Sequence, residues 1–138
     1  MSSIVQTQTT SFKKELYQGI HDLSTDTIKI ALYTAAADLN AATTAYSASN
    51  EVVASGYTAG GQTMTGVSIS SDGSTAYANW ANVSWTAALT ARCALIYNAS
   101  KGNKSVAVLD FGADKTSTTT FLITMPANTA TAALIRST

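Results

Sequence analysis

With 138 residues, eight basic against eight acidic side chains and only 12% charged residues, the chain suffices for one domain but offers no basic cluster for nucleic acid. Affinity for that partner comes chiefly from Lys and Arg on phosphates, so a nucleic-acid groove is excluded as an expectation. A domain of this length buries roughly two-thirds of the surface its unfolded chain exposes, and so needs neither metal nor disulfide to fold.

Cys93 is the single cysteine and lies inside an apolar run, where a core thiol is the expected reading. The start of the chain lacks the charged residues and apolar run of a signal peptide. No stretch of about 18 apolar residues appears, so no membrane partner is expected and assembly is expected in a cytosol. Ser, Thr, Ala and Asn dominate, giving the small, neutral, hydroxyl-rich surface found on proteins that repeat side by side in a lattice.

Residues 1–10 are polar apart from Ile4, Val5 and the initiator, and read as a flexible arm; 11–138 read as the single domain. Ser11 offers an N-cap. Phe12, Leu16 and Ile20 follow at helical spacing, predicting a short amphipathic helix from Ser11 to about His21. Thr27 to Thr34 alternates, with Ile28, Ile30 and Leu32 on one face, as in a strand buried on one side. Ala35 to Asn50 turns to Ala, Thr, Ser and Asn with isolated Leu39 and Tyr46, and is expected to be a long surface loop.

Glu51 to Val53 suggests a short strand before a reversal marked by Gly56, Gly60 and Gly61, where positive φ is expected. Thr63 to Ser70 reads as a strand carrying Met64, Val67 and Ile69, broken at Gly66. Asp72-Gly73 closes a hairpin to Thr75–Trp80. Trp80 and Trp85 are expected as packing anchors. Ala91 to Tyr97 and Val106 to Phe111 are almost wholly apolar and read as central strands joined by a turn containing Asn98, Gly102 and Asn103. Phe121, Ile123 and Met125 alternate within Thr119–Met125, and Ala133 and Ile135 face inward in a last strand. Seven or eight strands with one short N-terminal helix predict an all-β, antiparallel two-sheet sandwich, jelly-roll-like in pattern.

No catalytic constellation can be assembled, and no cofactor or metal site is expected. The only histidine, His21, reads as a solvated residue at the end of the helix. The aspartates are scattered and mostly suit turns. Asp110 falls within an apolar strand, where a structural bond to backbone or to Arg92 across the hairpin is favoured over a catalytic role.

Taken in order, Thr27-Ile-Lys-Ile-Ala-Leu-Tyr-Thr34, Glu51 to Gln62, Val83-Ser-Trp85, Ala94-Leu-Ile-Tyr-Asn98 and Val106 to Gly112 resemble the landmarks of small virion structural proteins of tailed bacteriophages. The resemblance covers Thr27 to Thr124, and is strongest to the jelly-roll cement, or decoration, proteins on the outside of icosahedral heads. It implies a partner in the major capsid protein, a homo-oligomer (dimer or trimer) and a place on the capsid surface. The residues expected to meet partners are Ile4 and Val5 in the arm, Phe12 and Leu16 in the helix, Leu39 and Tyr46 in the long loop, and Tyr57 in the glycine turn. Two rival readings are a tail or fibre-base component using Tyr46 and Tyr57 as sugar-binding aromatics, and a small hydrolase built around Asp110.

Overall fold

A computed structural model describes residues 3–137. Its elements in chain order are β1 (Thr7–Gln8), α1 (Thr10–Tyr17), β2 (Ile28–Tyr33), β3 (Gln62–Thr63), β4 (Ser68–Asp72) and β5 (Thr75–Asn79). They continue with β6 (Val83–Trp85), β7 (Thr90–Asn98), a 3-10 turn (Ala99–Lys101), β8 (Lys104–Thr116), β9 (Phe121–Ile123) and β10 (Ile135–Ser137). The chain is 41% strand and 8% helical, with antiparallel sheets and one α-helix, so the expected all-β sandwich class is observed.

The large sheet has the order β1-β8-β7-β2-β3; opposite it stand two small sheets, β10-β5-β4 and β6-β9. Between the layers lies the main core, in which Ile28, Ile30, Leu32 and Ile96 of the large sheet meet Trp80, Trp85, Phe121 and Ile135 from the facing side. Both tryptophans are buried, as their large apolar area favours. The β7–β8 hairpin occupies the middle of the large sheet, where its apolar runs place it.

Expected as a strand with one buried face, β2 is in fact buried on both. Its second face carries Ala31 and Tyr33, which join Leu95, Tyr97 and Cys93 in a second core. Part of the 35–50 loop covers that core. Ala37 and Leu39 are buried in it, and the loop is fastened by bonds from Tyr46 N to Asn103 O (2.9 Å) and Ser105 N to Thr44 O (2.9 Å). The long irregular segment thus supplies the layer that alternating strands supply elsewhere.

The N-terminal segment also departs from expectation. Far from standing off the domain as a flexible arm, its described part belongs to the large sheet: Thr7 and Gln8 pair with Val108 and Ala107, and Ile4 bridges Leu39. A two-residue strand has no period to detect, and its partner edge lies about a hundred positions away. The helix starts one residue earlier than predicted. Thr9, not Ser11, is its N-cap, accepting from Phe12 N at 3.3 Å; Thr9 is fully buried because its hydroxyl also meets Ser105 Oγ (2.9 Å). The helix stops at Tyr17 rather than near His21.

Elsewhere the turns fall where their chemistry predicts. β4 and β5 form the hairpin across Gly73-Ser74, and Gly56, Gly60 and Gly61 all have positive φ. The predicted Thr63–Ser70 strand is split into β3 and β4, with Gly66 at φ 66 in the gap. Glu51 contributes a single bridge to Tyr33 in place of a strand.

Candidate functional site

Beside the outer edge of β2, the backbone ladder is completed by side chains. β3 covers Lys29 and Ile30 only. Beyond it, Val52 N donates to Leu32 O (2.9 Å) and Leu32 N donates to the hydroxyl of Tyr57 (2.8 Å). Tyr57 in turn donates to Glu51 Oε2 (2.5 Å), which also accepts Gly60 N (2.8 Å), while Glu51 Oε1 accepts the hydroxyl of Tyr46 (2.6 Å). Glu51 is a buried residue, 7% exposed, and three hydrogen bonds replace its lost hydration.

Tyr97 and Tyr33 complete the surround. Tyr97 donates to Gly60 O (2.6 Å) and stacks on Tyr46 at 4.8 Å between ring centres; Tyr33 donates to Ser47 O (2.7 Å). Burial, reinforced by the Glu51 carboxylate, raises all four phenols above the ordinary tyrosine range. They serve as fixed, protonated donors that pin the 46–60 segment to the sheet.

A second polar cluster ties the end of the helix to the β7–β8 turn. His21, expected in solvent, has a fully buried side chain because its ring lies 5.0 Å from that of Phe12 and both nitrogens find partners. Nε2 lies 2.8 Å from Glu15 Oε1 and Nδ1 lies 2.9 Å from Asn98 Nδ2. The amide of Asn98 is oriented by its other bonds, since Oδ1 accepts Ser100 N (3.0 Å) and Nδ2 donates to Asp26 Oδ2 (2.8 Å). Nδ1 of His21 is therefore the acceptor and Nε2–H the donor to Glu15.

Lys101 Nζ reaches both oxygens of Asp26, at 2.9 and 3.0 Å. Burial alone would raise the Asp26 carboxyl, but the bonds from Asn98, the Asp22 backbone and Lys101 prevail and hold it at about 2. Because this folded value lies below the unfolded one, its stabilisation is complete above about pH 4 and is lost as pH falls toward 2. Replacing Asp26 by Asn should flatten that part of the acid limb: urea midpoints of wild type and variant should converge as pH falls from 4 to 2. A constant gap across the range would contradict the assignment.

Asp110 makes the backbone and Arg92 bonds expected of it. Its Oδ1 accepts Gly112 N (2.9 Å) and pairs with the Arg92 guanidinium across the hairpin, and these two contacts hold its carboxyl below the usual range. Burial pushes the neighbouring Cys93 thiol up to about 11, leaving it protonated and a poor nucleophile at neutral pH. Among the described residues, no group of three or more His, Cys, Asp or Glu side chains is placed to hold a metal ion.

The predicted contact residues divide by burial. Phe12 (0% exposed), Leu39 and Tyr57 lie in the cores, where each fills space inside its own chain. Tyr46 and Ile4 are half-buried, and the hydroxyl of Tyr46 is taken by Glu51. Val5 and Leu16 remain on the surface. Sequence reasoning missed the most exposed apolar side chains, Val53 (97%) and Tyr17 (93%), together with Ile69 and Leu122. The chain matches no protein-family model, no curated protein and no solved structure in the comparisons made.

Proposed function

We propose that this chain is a virion structural protein, a cement or decoration protein on the outer surface of a tailed-phage head that stabilises the lattice by bridging major capsid subunits. The observation that carries the reading is the distribution of large apolar side chains over a weakly charged surface. Tyr17, Ile69 and Leu122 project from α1, β4 and β9 and Val53 from the loop after Glu51, while Glu51, Asp26, His21 and Asp110 are engaged in internal bonds. Several separate small apolar contacts suit a protein that touches several neighbours at once. Such contacts gain avidity without any one being strong.

A protein that binds only the assembled lattice stabilises it by mass action, by an amount that grows with the logarithm of its free concentration relative to Kd. Assembly in the host cytoplasm and a dimeric or trimeric state belong to the same proposal; no described helix is long and apolar enough to cross a membrane. The tail or fibre-base alternative loses its sugar-binding aromatics, because Tyr57 is buried and Tyr46 is stacked on Tyr97. Heads lacking the protein should retain it on incubation and should then rupture at a higher temperature. Retention without any rise in rupture temperature would remove the cementing role.

A further inference from the structure

Along the outer edge of β8 the backbone partners run out while the strand continues. Val106 O accepts Thr9 N (3.0 Å) and Val108 pairs with Thr7, but the next outward position, Asp110 N, is bonded at 3.1 Å by the side-chain oxygen of Gln6. The main chain has already turned away, since Ile4 bridges Leu39 and Val5 N donates to Leu39 O (3.0 Å). Gln6 thus stands in for a strand at a place where a strand carbonyl would fit. Past Val108 the amides of this edge are met by side chains alone, Asp110 N by Gln6 and Gly112 N by Asp110 Oδ1 (2.9 Å), and an edge held in this way is a template for strand addition.

Beside this edge lie two adjoining hollows of about 450 and 530 Å³ that share Gln6, Leu109, Pro126 and Leu134. Phe111, Phe121 and Met125 extend the apolar lining at one end. The charged residues lining them are Arg136 in the first and Lys115 in the second; neither hollow is lined by an acidic side chain. Both cations are exposed, and neither pairs with a carboxylate among the described residues. The two hollows of this groove thus share the apolar side chains of Leu109, Pro126 and Leu134, and each carries one cation outside that shared part.

We propose that this groove receives an extended segment of a partner protein, apolar at its centre and carboxylated near each end, which displaces the Gln6 side chain and adds to the edge at Asp110. A second copy of this chain is a poorer occupant on charge. Of its other sheet-edge strands, β3, β4, β6, β9 and β10, only β4 carries an acid, Asp72 at one end, so none is carboxylated at both ends. The inference holds whatever particle the partner belongs to and does not depend on the virion proposal.

The test uses the full chain, labelled for amide NMR, and two acetylated, amidated nonapeptides of alternating valine and threonine, one with a glutamate at each end and one with lysines. The glutamate peptide should move the amide signals of Gln6, Leu109 and Asp110 and bind about tenfold tighter than the lysine peptide. The double variant Lys115→Glu, Arg136→Glu lies on the surface, and an unchanged spectrum away from the groove verifies its fold. It should reverse the preference. Equal binding of the two peptides, shifts confined to other surfaces, or no shift at Asp110 with millimolar peptide would overturn the proposal. So would concentration-dependent shifts at Asp110 without peptide, which would assign the groove to a second copy.

Discussion

Replacing Gly61 by alanine should destabilise the protein by more than about 4 kcal/mol, a large share of the roughly 5–15 kcal/mol that holds a domain together. A Cβ at this position would sit 1.8 Å from Ile30 O and 2.6 Å from its carbonyl carbon, both backbone atoms of β2 that cannot rotate away. φ is +77°, a region that L side chains rarely adopt, so steric clash and torsional strain act together. Gly73 provides the control: φ is +61° with nothing within 4 Å of an added Cβ, so Gly73→Ala should lose only about 1–2 kcal/mol. Urea unfolding of the two variants measures the contrast. Near-equal losses would show that the chain does not run against β2 at Gly61.

The second large effect is expected at the carboxylate–tyrosine cluster. Tyr57→Phe removes one hydroxyl but leaves two buried groups short of a partner, Leu32 N–H and Glu51 Oε2, so about 2–4 kcal/mol should be lost. Tyr46→Phe removes a single donor at a half-buried site and should lose about 1 kcal/mol. At Glu51 itself, Gln should be much milder than Ala. Its carbonyl can keep Tyr57 and Gly60, and the Tyr46 hydroxyl can turn to accept from the new amide, whereas Ala strands all three donors. Chemical denaturation of the four variants checks the order. Equal losses for Tyr57→Phe and Tyr46→Phe would mean that Tyr57 does not complete the β2 ladder.

What was legible in the sequence was what repeats or obeys turn chemistry. The runs in β7 and β8 announced central strands because apolar residues on both faces leave no side for water. Asp72-Gly73 announced a hairpin, and Trp80 and Trp85 announced core anchors. Features that depend on a distant partner were not legible. Thr7 and Gln8 have no pattern of their own, and become a strand only because the edge of β8 lies beside them. Ala31 and Tyr33 belong to a buried face because the 35–50 loop folds over them, and that loop has no periodicity to betray its cover.

The polar clusters were hidden for a related reason. Glu51 is the only acid between Asp38 and Asp72 and precedes Val-Val, a signal of burial that was available. Its donors, Tyr46, Tyr57 and the Gly60 amide, come from three loop positions that only the fold brings together. His21 reads as solvated from its place after the helix. Asn98, which helps bury it, is 77 residues away.

The virion proposal rests on the landmark resemblance and on the scattered apolar surface, and a cryo-EM map of phage particles assembled in the presence of this chain tests it most directly. The five-stranded sheet backed by its two small sheets is distinctive enough to be fitted as a unit. The expected result is density for this sandwich on the outside of the head, over junctions between major capsid subunits, with Val53, Tyr17, Ile69 or Leu122 at the contacts. Density for it at the tail or fibre base, or a particle with no copy on its head, would contradict the proposal.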